Sequence, residues 1–221
     1  MIFYLTANEA FTDLYKHIPV HGIDFGDTKA MFNIGFYLTN PTSNYITHKA
    51  RKFNIEYAEA EWQWYLSGDP NVAKLGEIFG KVPQIWNRMA DENGDVRSNY
   101  GWQWNREGQI DKVIQMLKEN PDTRQAVISI YDAKEIDTYS FDTPCTQGIH
   151  FQLLPEEPGS KMKRLCMTVT MRSNDLWYGF CNDQYCFSKL QKYVADAVGA
   201  VPGWYYHFAS NMHIYKDKLP K

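Results

Sequence analysis

Residues 163–199 read KRLCMTVTMRSNDLWYGFCNDQYCFSKLQKYVADAVG. The first part alternates: Leu165, Met167, Val169 and Met171 fall on one side of an extended chain, and Cys166, Thr168 and Thr170 on the other. That is the period of a strand, predicted over 163–171. The last part carries Cys186, Leu190, Tyr193, Val194 and Ala197 at helical spacing, with Gly199 as a stop, and predicts a long helix over about 184–198. Between them, Arg172-Ser173-Asn174-Asp175 puts a cation, a hydroxyl, an amide and a carboxylate at the end of an apolar strand. Such a cluster suits an anion and a polar ring, although a turn with a surface ion pair has the same composition. Gly179-Phe180-Cys181-Asn182-Asp183 then opens the helix, where Asn182 or Asp183 can serve as the N-cap.

On the C-terminal side, 204–215 reads as short strands. His213 and Tyr215 are two apart and so face the same side of a strand, a pair of hydrogen-bonding rings that suits a sugar. On the N-terminal side, 146–154 and 125–131 (QAVISIY) read as strands, and Pro144-Cys145 sits just before the first of these. A single cysteine is most often a small buried hydrophobe. A helix from about Glu107 to Glu119 buries Ile110, Val113, Ile114 and Leu117 and stops before Pro121. Asn54 caps a helix running to about Leu66, with Gly68 beyond it and Ile55, Ala58, Trp62 and Leu66 as its apolar positions. Glu61 lies on that helix among Tyr57, Trp62, Trp64 and Tyr65; without other company it reads as a surface acid. Residues 28–38 are β-prone, and Thr6-x-x-Glu9 is a capping box that starts a first helix. Strands and helices mix without regular βαβ alternation, which predicts an α+β fold.

The 221 residues fit one large domain, expected over 1–221. Hydrophobic residues at 44% and charged residues at 22% are ordinary globular usage, and aromatics at 15% supply many flat stacking surfaces. With 23 Lys+Arg against 26 Asp+Glu there is no basic excess to neutralise a polyphosphate backbone, so a nucleic acid polymer is not the expected partner. A mononucleotide, which needs only a few local cations, stays open. No apolar run approaches the roughly 18 residues of a membrane span, and no basic segment precedes the short apolar start. No membrane partner is expected, and the expected compartment is the cytoplasm (the host cytoplasm for a viral chain). The four cysteines, Cys145, Cys166, Cys181 and Cys186, form no Cys-x-x-Cys pair, so free thiols and no metal site are expected.

Several dispersed runs occur in a telling order: EWQWYLSG at 61–68, Ile85-Trp86, Tyr100-Gly101-x-x-Trp104, Asn120-Pro121-Asp122-Thr123-Arg124, Pro144-Cys145, Arg172-Ser173-x-Asp175, Gly179, and His213-x-Tyr215. Together, from about residue 15 to 217, they resemble the thymidylate synthase family. The stretch MRSNDLWYGFCND at 171–183 resembles most closely the phage branch of that family that hydroxymethylates deoxycytidylate (dCMP). Eight residues after the Asp of the Arg-Ser-x-Asp motif the synthases carry a uracil-reading Asn; here, as in that branch, the position holds Asp183. Thr146 after the cysteine also resembles that branch, where the synthases usually have His.

The resemblance implies a thymidylate synthase-like fold, a mixed β-sheet packed with helices, and a sheet-to-sheet homodimer with shared active sites. It implies that Cys145 attacks C6 of the pyrimidine, that Glu61 manages protons and that Tyr100 assists their transfer. Arg172 and Ser173 correspond to phosphate ligands, and Arg124 to an arginine that reaches phosphate from the partner subunit. His213 and Tyr215 would hold the sugar, Asn182 and Gly179 would border the nucleotide, Asp175 would face the pterin, and Trp86 would stack near the folate. The one-carbon donor implied is 5,10-methylenetetrahydrofolate, with no metal. Four features depart from the family pattern: Gln125 replaces a second arginine, no Arg occurs around His21–Thr28 (Lys29 is the nearest cation), His150 stands where Gln is usual, and the chain continues only a little past Tyr215, so a shortened C-terminal tail is expected.

The chemistry explains the residue types. C5 of a pyrimidine is a poor nucleophile until a thiolate adds to C6 and makes C5 enamine-like, and cysteine is the side chain best suited to that step. A guanidinium such as Arg172 favours the thiolate. Quenching the resulting exocyclic methylene with hydride gives a methyl group and dihydrofolate; quenching with water gives a hydroxymethyl group and tetrahydrofolate. At the base edge, a protonated Asp183 can donate to cytosine N3 and accept from its amino group, and an ionised one can accept from a protonated ring, whereas a carboxylate facing uracil O4 is repulsive. The base edge therefore favours dCMP over dUMP, and the resemblance to the hydroxymethylating branch implies water as the quench, so the expected activity is dCMP hydroxymethylation. The alternatives are a dCMP methyltransferase, a CMP or dUMP hydroxymethylase with the same site, and a catalytically silent homologue that binds a nucleotide or a partner protein.

Overall fold

The computed structural model describes residues 1–134, 143–157 and 159–220. Its strands, in chain order, are β1 (Ile2–Tyr4), β2 (Ile23–Phe25), β3 (Thr28–Leu38), β4 (Val127–Ser129), β5 (Thr146–Pro155), β6 (Lys163–Met171), β7 (Asn174–Asp175) and β8 (Val201–Tyr215). Its α-helices are α1 (Ala7–His21), α2 (Ile55–Ser67), α3 (Val72–Phe79), α4 (Gln84–Met89), α5 (Tyr100–Asn105), α6 (Gln109–Glu119) and α7 (Cys181–Ala197). The strands form one mixed sheet in the order β1-β3-β8-β6-β5-β4, with β2 paired to β3 and β7 to β8. This is the α+β arrangement expected: β3 runs antiparallel to β8, and β6 runs parallel to it.

The chain-end signals fold as their chemistry dictates. Thr6 accepts a hydrogen bond from the Glu9 N–H at 3.1 Å, the forward half of the expected capping box, while the Glu9 carboxylate reaches one residue past the cap to the Leu5 N–H at 2.8 Å. Asn54 accepts from the Tyr57 N–H at 3.0 Å, and Gly68, with φ 68°, ends α2 in the left-handed conformation that glycine adopts freely.

Several local expectations need correction. Residues 204–215 are one continuous strand within β8, because paired neighbours on both sides keep the chain extended along its length. The strand expected over 125–131 pairs regularly only over Val127–Ser129; Ile130 and Tyr131 both donate to the Gln147 carbonyl beside an irregularity at the start of β5, which ends the ladder. Although Ile55 and Leu66 belong to the apolar spacing of α2, both are exposed at its two ends, while Ala60, Glu61, Trp64 and Tyr65 are buried because α3, α5 and α7 all pack against the helix. Tyr193 of α7 is likewise exposed, and the inner face is carried by Cys186, Phe187, Leu190 and Val194. The helix begins at Cys181, earlier than expected, so Asn182 and Asp183 lie in its first turn and neither is the cap. The capping is done upstream by Asp175, whose carboxylate accepts from the N–H groups of Trp177, Tyr178 and Gly179 in the turn leading into α7.

Helices α1 and α7 pack on the sheet face that carries Phe36, Met167, Val169, Tyr205 and His207, all fully buried, and α2 packs on α7. Gln191 of α7 donates to the carbonyls of Leu165 (2.8 Å), Trp204 (3.1 Å) and Gly203 (3.3 Å) where the β6–β8 register shifts. This buried amide satisfies backbone acceptors that the ladder leaves over. The opposite face, with Tyr37, Thr168, Trp204, Tyr206 and Phe208, is half-exposed. Among the described residues no helix is long and apolar enough to cross a membrane, and no group of three or more His, Cys, Asp or Glu could hold a metal ion.

Candidate active site

A cleft of about 1230 Å³ opens at the ends of β6 and β7, between α2, α4 and the turn before α7. It is lined by Glu61, Trp86, Tyr100, Cys145, Arg172, Ser173, Asp175, Gly179, Asn182, Asp183, His213 and Tyr215. Every residue to which the resemblance gives a catalytic or binding role thus meets in one place except Arg124. Arg124 lies exposed in the segment between α6 and β4, outside the cleft of its own chain.

Cys145 sits between Pro144 and the first residue of β5, half-buried. Its carbonyl accepts from the Arg172 N–H at 2.8 Å, which ties the cysteine to the end of β6. The Arg172 guanidinium is held by the carbonyls of Thr143 (2.6 Å) and Pro144 (3.0 Å) and lies 3.7 Å from Cys145 Sγ. A fixed cation beside a thiol favours its ionised, nucleophilic form. Cys166, Cys181 and Cys186 are buried elsewhere.

Glu61 is 3% exposed. One oxygen accepts from the hydroxyls of Tyr57 (3.1 Å) and Tyr65 (3.2 Å), the residues one helical turn before and after it. Tyr57 in turn accepts from the Trp86 indole N–H at 2.7 Å. Burial raises the Glu61 carboxyl to about 7, with the two tyrosines pulling the other way. An acid poised there can both take and give a proton near neutral pH. Its other oxygen, Oε2, is buried with no hydrogen-bond partner among the described residues. Tyr100, on α5, packs edge-on to Tyr65 and stacks with Trp104.

On the far wall, Asn174 Nδ2 donates to Asp183 Oδ2 at 2.7 Å. Gly179 lies against this pair: a Cβ there would stand 3.0 Å from Asn174 Nδ2 and 3.2 Å from Asp183 Oδ2. Asp175, next in β7, pairs in register with His213 of β8. Burial raises the Asp175 carboxyl above its ordinary range and lowers the His213 imidazole, each charge partly offsetting the other. His213 Nδ1 lies 3.0 Å from Asn211 Oδ1, an acceptor, so in the neutral ring Nδ1 carries the proton and Nε2 is the acceptor. The rings of His213 and Tyr215 lie 5.7 Å apart on the same side of β8.

A model of the family described as thymidylate synthase matches residues 11–221. The chain belongs to the thymidylate synthase family. Members carry out folate-dependent one-carbon transfer to C5 of a pyrimidine nucleotide, and that general activity is the one the chain inherits. The cleft suits a thymidylate synthase family member in size and chemistry. Single-ligand pockets run to roughly 1,000 Å³, so this one has room for a nucleotide and a folate. Phe79, Pro83, Ile85, Trp86 and Met89 give it an apolar end for a pteridine and an aryl ring, and the unpartnered Glu61 Oε2 supplies a buried polar atom beside them.

Four contributors carry no site role in the sequence reading. Tyr57 and Tyr65 as hydroxyl partners of Glu61 were signalled by their spacing of four on one helix. Asn174 was visible as a polar residue at a strand end, but nothing local named Asp183 as its partner. Arg51 also lines the cleft, donating from Nε to the Trp177 carbonyl at 2.6 Å, and no motif marks it. Lys29, the nearest cation to the missing phosphate-loop arginine, instead pairs with Asp24 at 3.5 Å and does not line the cleft.

Proposed function

We propose that this thymidylate synthase family member is a dCMP 5-hydroxymethyltransferase, converting dCMP, methylenetetrahydrofolate and water to 5-hydroxymethyl-dCMP and tetrahydrofolate. The observation that carries the reading is the presence, in one cleft with Cys145 and Glu61, of a carboxylate at the base-reading position, Asp183, already accepting a hydrogen bond from Asn174. Carboxylate and carbonyl oxygens accept; cytosine offers an amino donor there and uracil offers O4, another acceptor. A site built on such bonds discriminates by as much as ~10⁴–10⁵.

In this reading Cys145 Sγ adds to C6, breaking the C5–C6 double bond and making C5 enamine-like. C5 bonds to the one-carbon unit that bound methylenetetrahydrofolate supplies. Glu61, with Tyr57, Tyr65 and Tyr100 around it, relays the C5 proton, and the folate amine leaves with a proton of its own. Water then bonds through oxygen to the exocyclic methylene carbon and gives up a proton, replacing the one the folate amine took, while the Cys145 sulfur departs as thiolate and the C5–C6 double bond returns. Arg172 and Ser173 hold the phosphate, His213 and Tyr215 the sugar, Asn182 and Gly179 border the base, and Asp175 and Trp86 orient the folate. Arg124 acts from the partner of a homodimer joined through the half-exposed sheet face, where Tyr37, Trp204, Tyr206 and Phe208 offer aromatic surface. Thymidylate synthase family members are usually dimeric, and a shared site accounts for an arginine placed outside its own cleft. The chain would act in the cytoplasm, supplying a modified nucleotide for phage DNA.

The test incubates the protein with dCMP, CMP or dUMP and methylenetetrahydrofolate, reading product mass and dihydrofolate absorbance together. A gain of CH₂O on dCMP without dihydrofolate is expected. A gain of CH₂ with dihydrofolate identifies a methyltransferase, preference for CMP or dUMP moves the substrate, and no turnover of any of the three points to a silent homologue.

A further inference from the structure

We infer that Asn174 is a specificity-determining positioning residue, which fixes the Asp183 carboxylate so that the base edge of the nucleotide is read by a fixed set of acceptors. The inference rests on the reading of the cleft as a pyrimidine nucleotide site.

Asn174 is 3% exposed and Asp183 sits in the first turn of α7. The amide donates from Nδ2 to Asp183 Oδ2 at 2.7 Å. A carboxylate oxygen that faces an amide nitrogen is held as an acceptor, so Asn174 keeps Oδ2 of Asp183 unprotonated and helps to fix the carboxyl plane. The backbone supports this division. Asn174 and Asp175 are neighbours in β7, both in register with β8. Asp175 clamps the turn through the N–H groups of Trp177, Tyr178 and Gly179, while Asn174 crosses to Asp183 at the far end of the same turn. Adjacent residues of one strand therefore hold both the path of the turn and the side chain that it delivers.

Two further observations point to a ligand at this wall. Asn174 Oδ1 and Asn182 Oδ1 are both buried and have no hydrogen-bond partner among the described residues. A buried amide oxygen without a donor has lost the hydrogen bonds that water would give it, so a ligand donor there restores them. Both residues line the cleft, as does Asp183. Two amide oxygens without donors stand beside the Asp183 carboxyl, so the wall is rich in acceptors and suits a ligand edge that brings N–H groups. An aminopyrimidine brings them; a ring with a carbonyl at that place does not. Gly179 completes the arrangement, since a Cβ would stand 3.0 Å from the Asn174 amide nitrogen and 3.2 Å from the Asp183 oxygen, closer than side chains ordinarily approach.

The test is a double-mutant cycle read by calorimetric binding of dCMP, dUMP and deoxyribose 5-phosphate to the wild-type protein, Asn174→Ala, Asp183→Asn and the double variant. Asn174→Ala is expected to reduce the dCMP-over-dUMP affinity ratio by roughly tenfold, the size of a lost hydrogen bond to a charged group, and to leave deoxyribose 5-phosphate affinity within twofold. In the Asp183→Asn background the same change is expected to leave the ratio unaltered. If Asn174→Ala fails to fold by circular dichroism, Gly179→Ala interrogates the same contact by crowding it and is expected to lower the ratio in the same direction. An unaltered ratio in the folded Asn174 variant, or in Gly179→Ala where that variant stands in, overturns the inference; so does an equal effect with and without Asp183. A wild-type protein that prefers dUMP defeats the choice of dCMP as substrate, yet leaves the Asn174 inference standing if the ratio still moves through Asp183.

Discussion

Arg172 Nη2 lies 3.7 Å from Cys145 Sγ, in a guanidinium whose other contacts are the carbonyls of Thr143 and Pro144. The cation is thus fixed by the backbone that carries the thiol, so neither moves without the other. Arg172→Gln removes the charge and breaks this tie. Alkylation of Cys145 by iodoacetamide is expected to slow by about tenfold in that variant. Because Cys166, Cys181 and Cys186 are buried, the native protein should take up a single label, counted by intact mass. An alkylation rate equal to that of the wild type contradicts a role for Arg172 in thiol activation.

Burial sets the titration of Glu61, and its sign is definite. The carboxyl ionises near 4.5 when exposed and near 7 in the native chain. Between those values the unfolded chain has released a proton that the native chain keeps, so stability falls as pH rises through this window, by about 3 kcal/mol in all. Glu61→Gln keeps an acceptor for Tyr57 and Tyr65 but cannot ionise. It is expected to gain stability over the wild type at pH 8 relative to pH 4.5, measured by urea unfolding, while turnover drops by at least about 10²-fold. A stability difference independent of pH contradicts a native carboxyl held near 7.

His207 shows the opposite behaviour. It is fully buried between the Phe36 and Phe180 rings, 2.8 Å from the Tyr205 hydroxyl, and burial lowers its imidazole to about 3. Below the ordinary histidine value of 6.5 the unfolded chain takes up a proton that the native chain refuses. Stability is therefore lost as pH falls from 6.5 towards 3, at up to about 1.4 kcal/mol per pH unit. His207→Gln is expected to flatten this acid limb in unfolding curves taken between pH 6 and 4. An equally steep limb in the variant would place the acid sensitivity elsewhere.

Gly101 packs directly on the backbone of Tyr65, and a Cβ there would overlap the Tyr65 Cα, carbonyl carbon and carbonyl oxygen. Backbone cannot swing aside as a side chain can. Gly101→Ala is expected to cost at least about 3 kcal/mol by pushing α5 off α2, and to disturb Tyr65 and hence Glu61. Denaturant unfolding checks it: a loss below about 1 kcal/mol contradicts the close contact.

Elements with a strong local signal were legible in the sequence. β3 has the bounds of its β-prone run, β6 those of its alternating run, and α1 and α2 start at the caps that Thr6 and Asn54 announce. The helices α3, α4 and α5 were not read, because each is short and α4 has no buried residue to give it a periodic stripe. β1 and β2, three residues each, exist through their pairing with β3, which no local pattern reveals. The continuity of β8 and the early end of β4 also come from neighbours in the sheet.

The candidate site was legible residue by residue, through family resemblance, more than as an arrangement. Cys145 and Arg172 are separated by 27 positions, and Asn174 and Asp183 by nine. Only the second pair lies within one motif, and even there the spacing does not say that the amide turns towards the carboxylate. Tyr57, Glu61 and Tyr65 were readable in principle, since a spacing of four stacks them on one helix face. Arg51 was not, because its partner is the carbonyl of Trp177, far along the chain.

Reversible attack by Cys145 on an aminopyrimidine can be followed without any folate, as release of tritium from C5 of labelled dCMP into water. The wild-type protein is expected to release label from dCMP faster than from dUMP, and Cys145→Ser is expected to release none from either. Equal release by Cys145→Ser, or no release by the wild type from any pyrimidine nucleotide, would mean that the sulfur does not form the bond on which the reaction depends.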